Sequence, residues 1–269
     1  MHPMLNIATR AARAAGNLIV RAIQNPEDIK SVAKGRNDWV SEIDQRAEAV
    51  IIETIRKTYP NHAITAEESG GINADSDYEW IIDPLDGTTN FLHGFPHVAV
   101  SIAMKYKGKI EIGLIYDPLR EELFTASRGN GAQLNGKRIR VGGTKDLDGA
   151  LLATGFPFKK PHQLDTYLGL FKTLFPHCAD MRRAGSAALD LAYVACGRVD
   201  GFWELGLMEW DIAAGVLLVQ EAGGLVADFN GGHKYLESGN VVAANPKVFK
   251  AMLQAMGPAI SPELRQLWA

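Results

Sequence analysis

The stretch at residues 80–91, W-I-I-D-P-L-D-G-T-T-N-F, limits what this chain can fold into more than any other. Three apolar residues, Trp80, Ile81 and Ile82, run directly into Asp83, the pattern of a buried strand that delivers a carboxylate to its end. Pro84 fixes its own backbone and lacks an N–H, so the strand is expected to break there, and Gly87 frees the next corner. Asp83 and Asp86 then converge, with backbone N–H groups and the hydroxyls of Thr88 and Thr89 immediately after them. Two neighbouring carboxylates repel and draw protons back, unless a hard cation such as Mg2+ neutralises them through oxygen ligation. A glycine turn entering a helix points unpaired N–H groups at phosphate oxygens. An isolated Asp-Pro or Asp-Gly pair is ordinarily only a turn; here a buried-looking strand precedes it, and E-E-S at 67–69 adds more acid.

A second motif, W-D-I-A-A-G, lies at 210–215. In order and separation the two motifs resemble the signatures of the inositol monophosphatase family, lithium-sensitive Mg2+-dependent phosphatases, and most closely its bacterial SuhB-type members. The resemblance covers essentially residues 4–256. It implies an α/β fold, an alternating layered α-β-α-β-α sandwich. It also implies two or three Mg2+ ions held by Glu67, Asp83, Asp86, Asp211 and the carbonyl of Leu85. One ion would activate water and another neutralise the phosphate, with no phosphoenzyme. Glu67 and Thr88 then act on the nucleophilic water, and Asp44 orients Thr88. Substrate contacts carry over onto Asp86, Gly87, Thr88, Thr89, Ser186, Ala187, Glu204 and Asp211, those around Ser186 and Ala187 partly through backbone groups. Vertebrate-type members have H-C-W-D where this chain has Met208-Glu209-Trp210-Asp211, so a small phosphorylated polyol is the safer substrate class, with inositol monophosphate leading it. The resemblance further implies a homodimer, and a role of SuhB-type relatives in ribosomal-RNA transcription antitermination with Nus factors and RNA polymerase-associated machinery. Arg182 and Arg183 offer a basic surface for such a partner; an ordinary salt-bridged turn uses the same residues.

Composition sets outer bounds. Lys and Arg total 28 against 31 Asp and Glu, a net charge of −3, so no global basic field advertises nucleic acid. Cys178 and Cys196 form neither a disulfide framework nor a zinc spacing and read as reduced, packed thiols. The first residues lack a basic segment followed by an apolar run, and no apolar stretch approaches the roughly 18 to 20 residues of a membrane span. A cytoplasmic protein is the expectation.

Along the chain, apolar spacing predicts a helix over 4–23, a short edge strand over 29–33 and a helix over 40–59. Lys34 is placed on a loop near the metal site. Ser41 and Asp44 fit an S-x-x-D capping box, a local role that can coexist with orientation of Thr88. Glu68 reads as a structural neighbour of Glu67, and G-G-I-N-A-D-S-D, from residue 70, as a surface turn. Alternation predicts a meander over 97–127; its glycines are not a dinucleotide fingerprint, because no β-α-β crossover surrounds them. The G-G-T-K-D-L-D-G interruption suggests two subdomains sharing a cleft, an N-terminal one over 1–145 and a C-terminal one over 146–269. In the second, strands are expected at 150–155, 179–182, 199–203, 225–229 and 239–244. Helices follow Gln163, Ser186, Trp210 and Asn245, with Ser186 as an N-cap and Asn245-Pro246 as another helix start. Glu204 reads locally either as a salt-bridge partner or as an acceptor for sugar-like hydroxyls. His93 and His97 read as turn-packing residues and Cys196 as core. Two other functions fit the chain: a regulatory Nus-factor-binding protein with dispensable catalysis, and a phosphatase for another sugar or nucleotide phosphate.

Overall fold

The computed structural model describes residues 3–25, 31–35, 38–72 and 75–260, with side chains of 31–35 and 38–40 outside the description. Two helices open the fold, α1 (Pro3–Gln24) and α2 (Glu42–Arg56), with the antiparallel pair β1 (Ser31–Gly35) and β2 (Asp38–Ser41) between them. Residues 29–30 of the expected edge strand lie outside the described residues, and Lys34 belongs to β1 rather than to a loop; its side chain also lies outside the described residues. The capping box is present: Ser41 Oγ accepts from the Asp44 N–H, and the Asp44 carboxylate accepts from the Ser41 N–H.

Eight strands make the larger sheet. In chain order they are β3 (Ala63–Ala66), β4 (Gly70–Ile72), β5 (Tyr78–Asp86), β6 (Ala99–Tyr106), β7 (Lys109–Asp117), β8 (Glu122–Ser127), β9 (Gly131–Leu134) and β10 (Lys137–Arg138). Their spatial order is β10-β9-β8-β7-β6-β5-β3-β4, antiparallel throughout except for β3 beside β5. Gly70, Gly71 and Ile72 therefore form an edge strand paired with Ala66, Thr65 and Ile64, not a turn as the glycines suggest. Glycine costs a strand entropy, but β3 supplies the partners that fix this one.

The smaller sheet has β11 (Leu151–Thr154), β12 (Asp180–Arg182), β13 (Gly201–Glu204), β14 (Leu225–Ala227) and β15 (Val241–Ala244), in the order β12-β11-β13-β15-β14. Its helices are α4 (Leu164–Leu174), α5 (Ala187–Ala195), α6 (Glu209–Glu221), the short α7 (Tyr235–Ser238) and α8 (Pro246–Met256); another short helix, α3 (Thr88–Leu92), follows β5.

Alternation along the strands decides the layering. Trp80, Ile82, Val100, Ile102 and Leu114 face α1 and α2, while Ile81, Ala99, Ala103 and Ile115 face α5 and α6. The same α5 and α6 pack on Ala153, Phe202 and Ala243 of the smaller sheet, whose opposite face, Leu152, Trp203 and Val242, meets α4 and α8. The order of layers is helix, sheet, helix, sheet, helix. The middle helices are almost wholly buried, which explains why α6 is apolar on all sides from Ile212 to Val219.

Candidate active site

β5 carries two acids to one end of the larger sheet. Contrary to the break expected at Pro84, the strand continues to Asp86. Asp83 pairs with Ser101 and Asp86 with Ala99, so three steps on β5 face two on β6, a bulge that takes up the proline at a position needing no ladder N–H. The buried Asp83 accepts from the Leu85 N–H at 2.9 Å. Gly87 then turns the chain into α3 at φ 97°, and a Cβ there would lie 3.0 Å from the His97 carbonyl, so the corner requires glycine.

One face of α2 supports this corner from below. Asp44 and Glu48, one turn apart, are both buried acids. The Thr88 hydroxyl donates to Asp44 Oδ1 at 2.9 Å, with the Leu85 carbonyl as a second acceptor at 3.2 Å. Glu48 accepts from the N–H groups of Glu68 (2.7 Å) and Ser69 (2.9 Å), while the Glu67 N–H reaches the Ile82 carbonyl at 3.2 Å. The turn that presents Glu67 is thus held at both ends.

The other wall comes from the second half of the chain. Ser186, the N-cap of α5, donates its hydroxyl to Asp86 Oδ2 at 2.7 Å and accepts from the Leu189 N–H. Asp86 also accepts from the Ala188 N–H at 2.8 Å. Asn90 donates to the carbonyls of His97 and Ala184, tying the first motif to the turn before Ser186. Asp211, in the first turn of α6, accepts from the Met208 N–H and brings a third carboxylate. Ligand oxygens of Asp83, Asp86 and Asp211 all lie within 4.8 Å of one another. They sit with Glu67, Leu85, Gly87, Thr88 and Thr89 in a cavity of about 370 Å³ that extends past Ser186 and Ala187 to Glu204 and Asp190. Lys159 stands across it, its Nζ 3.7 Å from Glu67 Oε1.

Crowding dominates the electrostatics. Burial first, then the charges of Glu67, Asp86 and Asp211, raises Asp83 well above the ordinary carboxylate range. Burial, then Asp86 and Glu67, pushes Asp211 up to about 8. Asp86 is also raised by burial, against the hydrogen bonds from Ser186 and Ala188 and the charge of Lys159. Asp44 is raised by burial despite its bonds from Ser41 and Thr88. Such acids ionise together only beside added positive charge. The donors are carboxylate and carbonyl oxygens with no thiol or imidazole among them, a set that fits a hard divalent ion such as Mg2+.

A model of the inositol monophosphatase family matches residues 1–259. This chain belongs to that family. It is 59% identical over 267 residues to the protein named Nus factor SuhB from Escherichia coli K12, covering 99% of this chain and all of that one. Among solved structures, the extragenic suppressor protein suhB of Bartonella henselae superposes with a TM-score of 0.91 at 43% identity, covering 94% of this chain and 98% of that one. The inositol monophosphatase of Anabaena gives 0.85 at 40%, with 95% of each chain covered. The layered fold read from the family resemblance is the one observed.

The structure brings together the acids of both family motifs and the groups around Ser186. The side chain of Ser186 is itself buried and committed to Asp86 and Leu189, while Ser186 and Ala187 both line the cavity. Arg182 is ion-paired with Asp180 on β12, whereas Arg183 stacks over Phe156 and Phe158, 5.1 and 5.0 Å from the ring centroids, at the cavity wall. Neither His93 nor His97 lines the cavity, and burial with the nearby Arg120 charge lowers His97 to about 4. Glu48, Asn90, Gly155, Lys159 and Asp190 are not among the sequence-read site residues. A lone acid in the apolar run S-A-A-L-D-L-A was the available sign for Asp190; the position of Gly155 against the Glu204 carboxylate leaves no local sign at all. Cys178 and Cys196 are free thiols outside the cavity. Among the described residues no helix is long and apolar enough to cross a membrane.

Proposed function

We propose that this protein is a Mg2+-dependent phosphomonoesterase acting on inositol monophosphate or a related small polyol phosphate. The observation that carries this is the convergence of Asp83, Asp86 and Asp211, beside Glu67, on the floor of one cavity. Glu67, Asp83, Asp86, Asp211 and the Leu85 carbonyl would hold two or three ions. Bound there, Mg2+ supplies Lewis acidity that neutralises phosphate charge and makes water a nucleophile near neutral pH. Thr88 gives its one hydroxyl proton to Asp44 or the Leu85 carbonyl, which leaves its oxygen lone pairs to accept from a water. Glu67, which lines the same cavity, would accept the other proton of that water. The first N–H groups of α3, at Thr88 and Thr89, have no partner within the helix and suit phosphate oxygens. Asp86, half-buried and fixed by α5, would stand between the phosphate and the alcohol of a bound substrate, with the alcohol directed toward Ala187 and Glu204. There Glu204 and backbone around Ala187 receive hydroxyls.

Phosphate release from a panel of inositol monophosphates and other polyol phosphates tests this reading. Turnover should require Mg2+ and collapse in Asp86→Ala; robust turnover without metal rejects it. Lithium inhibition and a homodimer belong to the same proposal.

A second reading is a separate role in transcription antitermination through Nus factors and RNA polymerase-associated machinery in the cytoplasm, supported by the 59% identity to a protein named as a Nus factor. Arg182 and Arg183 remain the proposed contact surface. A pull-down in which Asp86→Ala retains Nus proteins would separate this role from catalysis, and loss of binding in that variant would join them.

A further inference from the structure

Resting on the polyol-phosphate reading, we infer that Asp190 is a specificity-determining residue, a second carboxylate that works with Glu204 to read neighbouring hydroxyls on the alcohol half of the substrate. Asp190 is only 3% exposed, yet it lines the cavity. Among the described residues no hydrogen bond is donated to its carboxylate, in contrast to Asp44, Asp83, Asp86 and Asp211, each of which is held by backbone or hydroxyl donors. The Asp190 oxygens face the cavity with no protein donor on them, so a ligand hydroxyl placed there meets an acceptor that no protein group already occupies. Two charges act on Asp190, the Asp86 carboxylate and, in the opposite sense, the Arg183 guanidinium.

Glu204 is its counterpart. It ends β13 at the same part of the cavity, and Asp190 is the charge that acts on it most strongly, ahead of Asp211 and Asp86. Its carboxylate lies against Gly155, where any Cβ would overlap it. Two carboxyl groups approach one region from α5 and β13, so adjacent hydroxyls of one ring or chain can each donate to a different acid. A substrate whose alcohol half carries no hydroxyls would leave both unsatisfied.

Equilibrium binding, separate from turnover, tests the assignment. The non-hydrolysable methylenephosphonate analogue of inositol monophosphate and the hydroxyl-free benzylphosphonate would be titrated calorimetrically, with Mg2+ present, into wild type, Asp190→Ala and Asp190→Asn. The expected result for Asp190→Ala is at least a tenfold weaker Kd for the inositol analogue and a Kd within twofold of wild type for benzylphosphonate. Asp190→Asn, which keeps shape and one acceptor, should show the same selectivity with a loss of at least threefold, and it decides the matter if the alanine variant does not fold. Equal weakening of both ligands, no weakening of either, or a wild type without preference for the hydroxylated ligand overturns the inference. Phosphate release by wild type is measured in parallel, so a failure of the phosphatase reading is seen separately.

Discussion

Replacing Glu48 with glutamine removes one charge and changes nothing in size, and it reaches the site only through the turn at residues 67–69. Glu48 is 3% exposed and accepts two backbone N–H groups, from Glu68 at 2.7 Å and Ser69 at 2.9 Å. Hydrogen bonds to a charged acceptor contribute about 1.5 to 3 kcal/mol each. Glutamine retains one acceptor oxygen and sets an NH2 against the other donor, so Glu48→Gln should cost about 2 to 3 kcal/mol. At roughly 2 to 4 °C per kcal/mol for a chain of this size, the melting temperature should fall by about 4 to 12 °C. Because the turn also presents Glu67, the variant should need more Mg2+ for half-maximal phosphate release. Urea unfolding of the metal-free protein measures the first effect and a Mg2+ activation curve the second. Unchanged stability together with an unchanged Mg2+ midpoint would refute the claim that Glu48 holds the turn.

Three further outcomes follow from the same geometry. Ser186→Ala removes a helix cap worth about 1 kcal/mol and a bond to the Asp86 carboxylate; it should destabilise the protein and raise the Mg2+ requirement, with Ser186→Thr restoring both, as read by thermal melts and activation curves. Asp211 in the metal-free fold holds its proton up to about pH 8 instead of near the ordinary 3.8, so the stability from this raised group is full below the ordinary value and lost as pH rises through 8. Mg2+ competes with that proton, and the rise in melting temperature on adding Mg2+ should be larger at pH 8 than at pH 5.5; equal shifts would remove Asp211 from the metal set. Gly155→Ala must displace the Glu204 carboxylate and should weaken polyol phosphates while leaving the Mg2+ activation midpoint in place, which side-by-side titrations would show.

What the sequence disclosed depends on how local each signal is. Asp83, Asp86 and Asp211 stand inside short motifs whose neighbours already explain them, and the Ser41-Asp44 box is complete within four residues. Apolar spacing gave most of the helices, because their burial follows one face or, for α6, all faces. The bulge at Pro84 was hidden because a proline reads as a stop, and only the register with β6 shows the strand passing through it. Asp190 and Glu204 approach each other from separate elements, and Gly155 matters through a side chain 49 positions away; such pairings exist only once the smaller sheet has formed.

The cavity draws its acids and its outer wall from different parts of the chain. Asp83, Asp86 and Asp211 hang on β5 and on α6 of the buried middle layer, whereas Phe156, Phe158 and Lys159 belong to the segment after β11, where the two phenylalanines are 40% and 46% exposed. A substitution among the acids disturbs the packed interior and the chemistry together. A substitution of Phe156 or Phe158 on the outer segment changes what the cavity admits, whereas one at Lys159 also changes the charge beside Glu67 and Asp86. Descent with modification can therefore alter the preferred alcohol one residue at a time while phosphate release persists, and relatives that share every acid of this chain need not share its substrate.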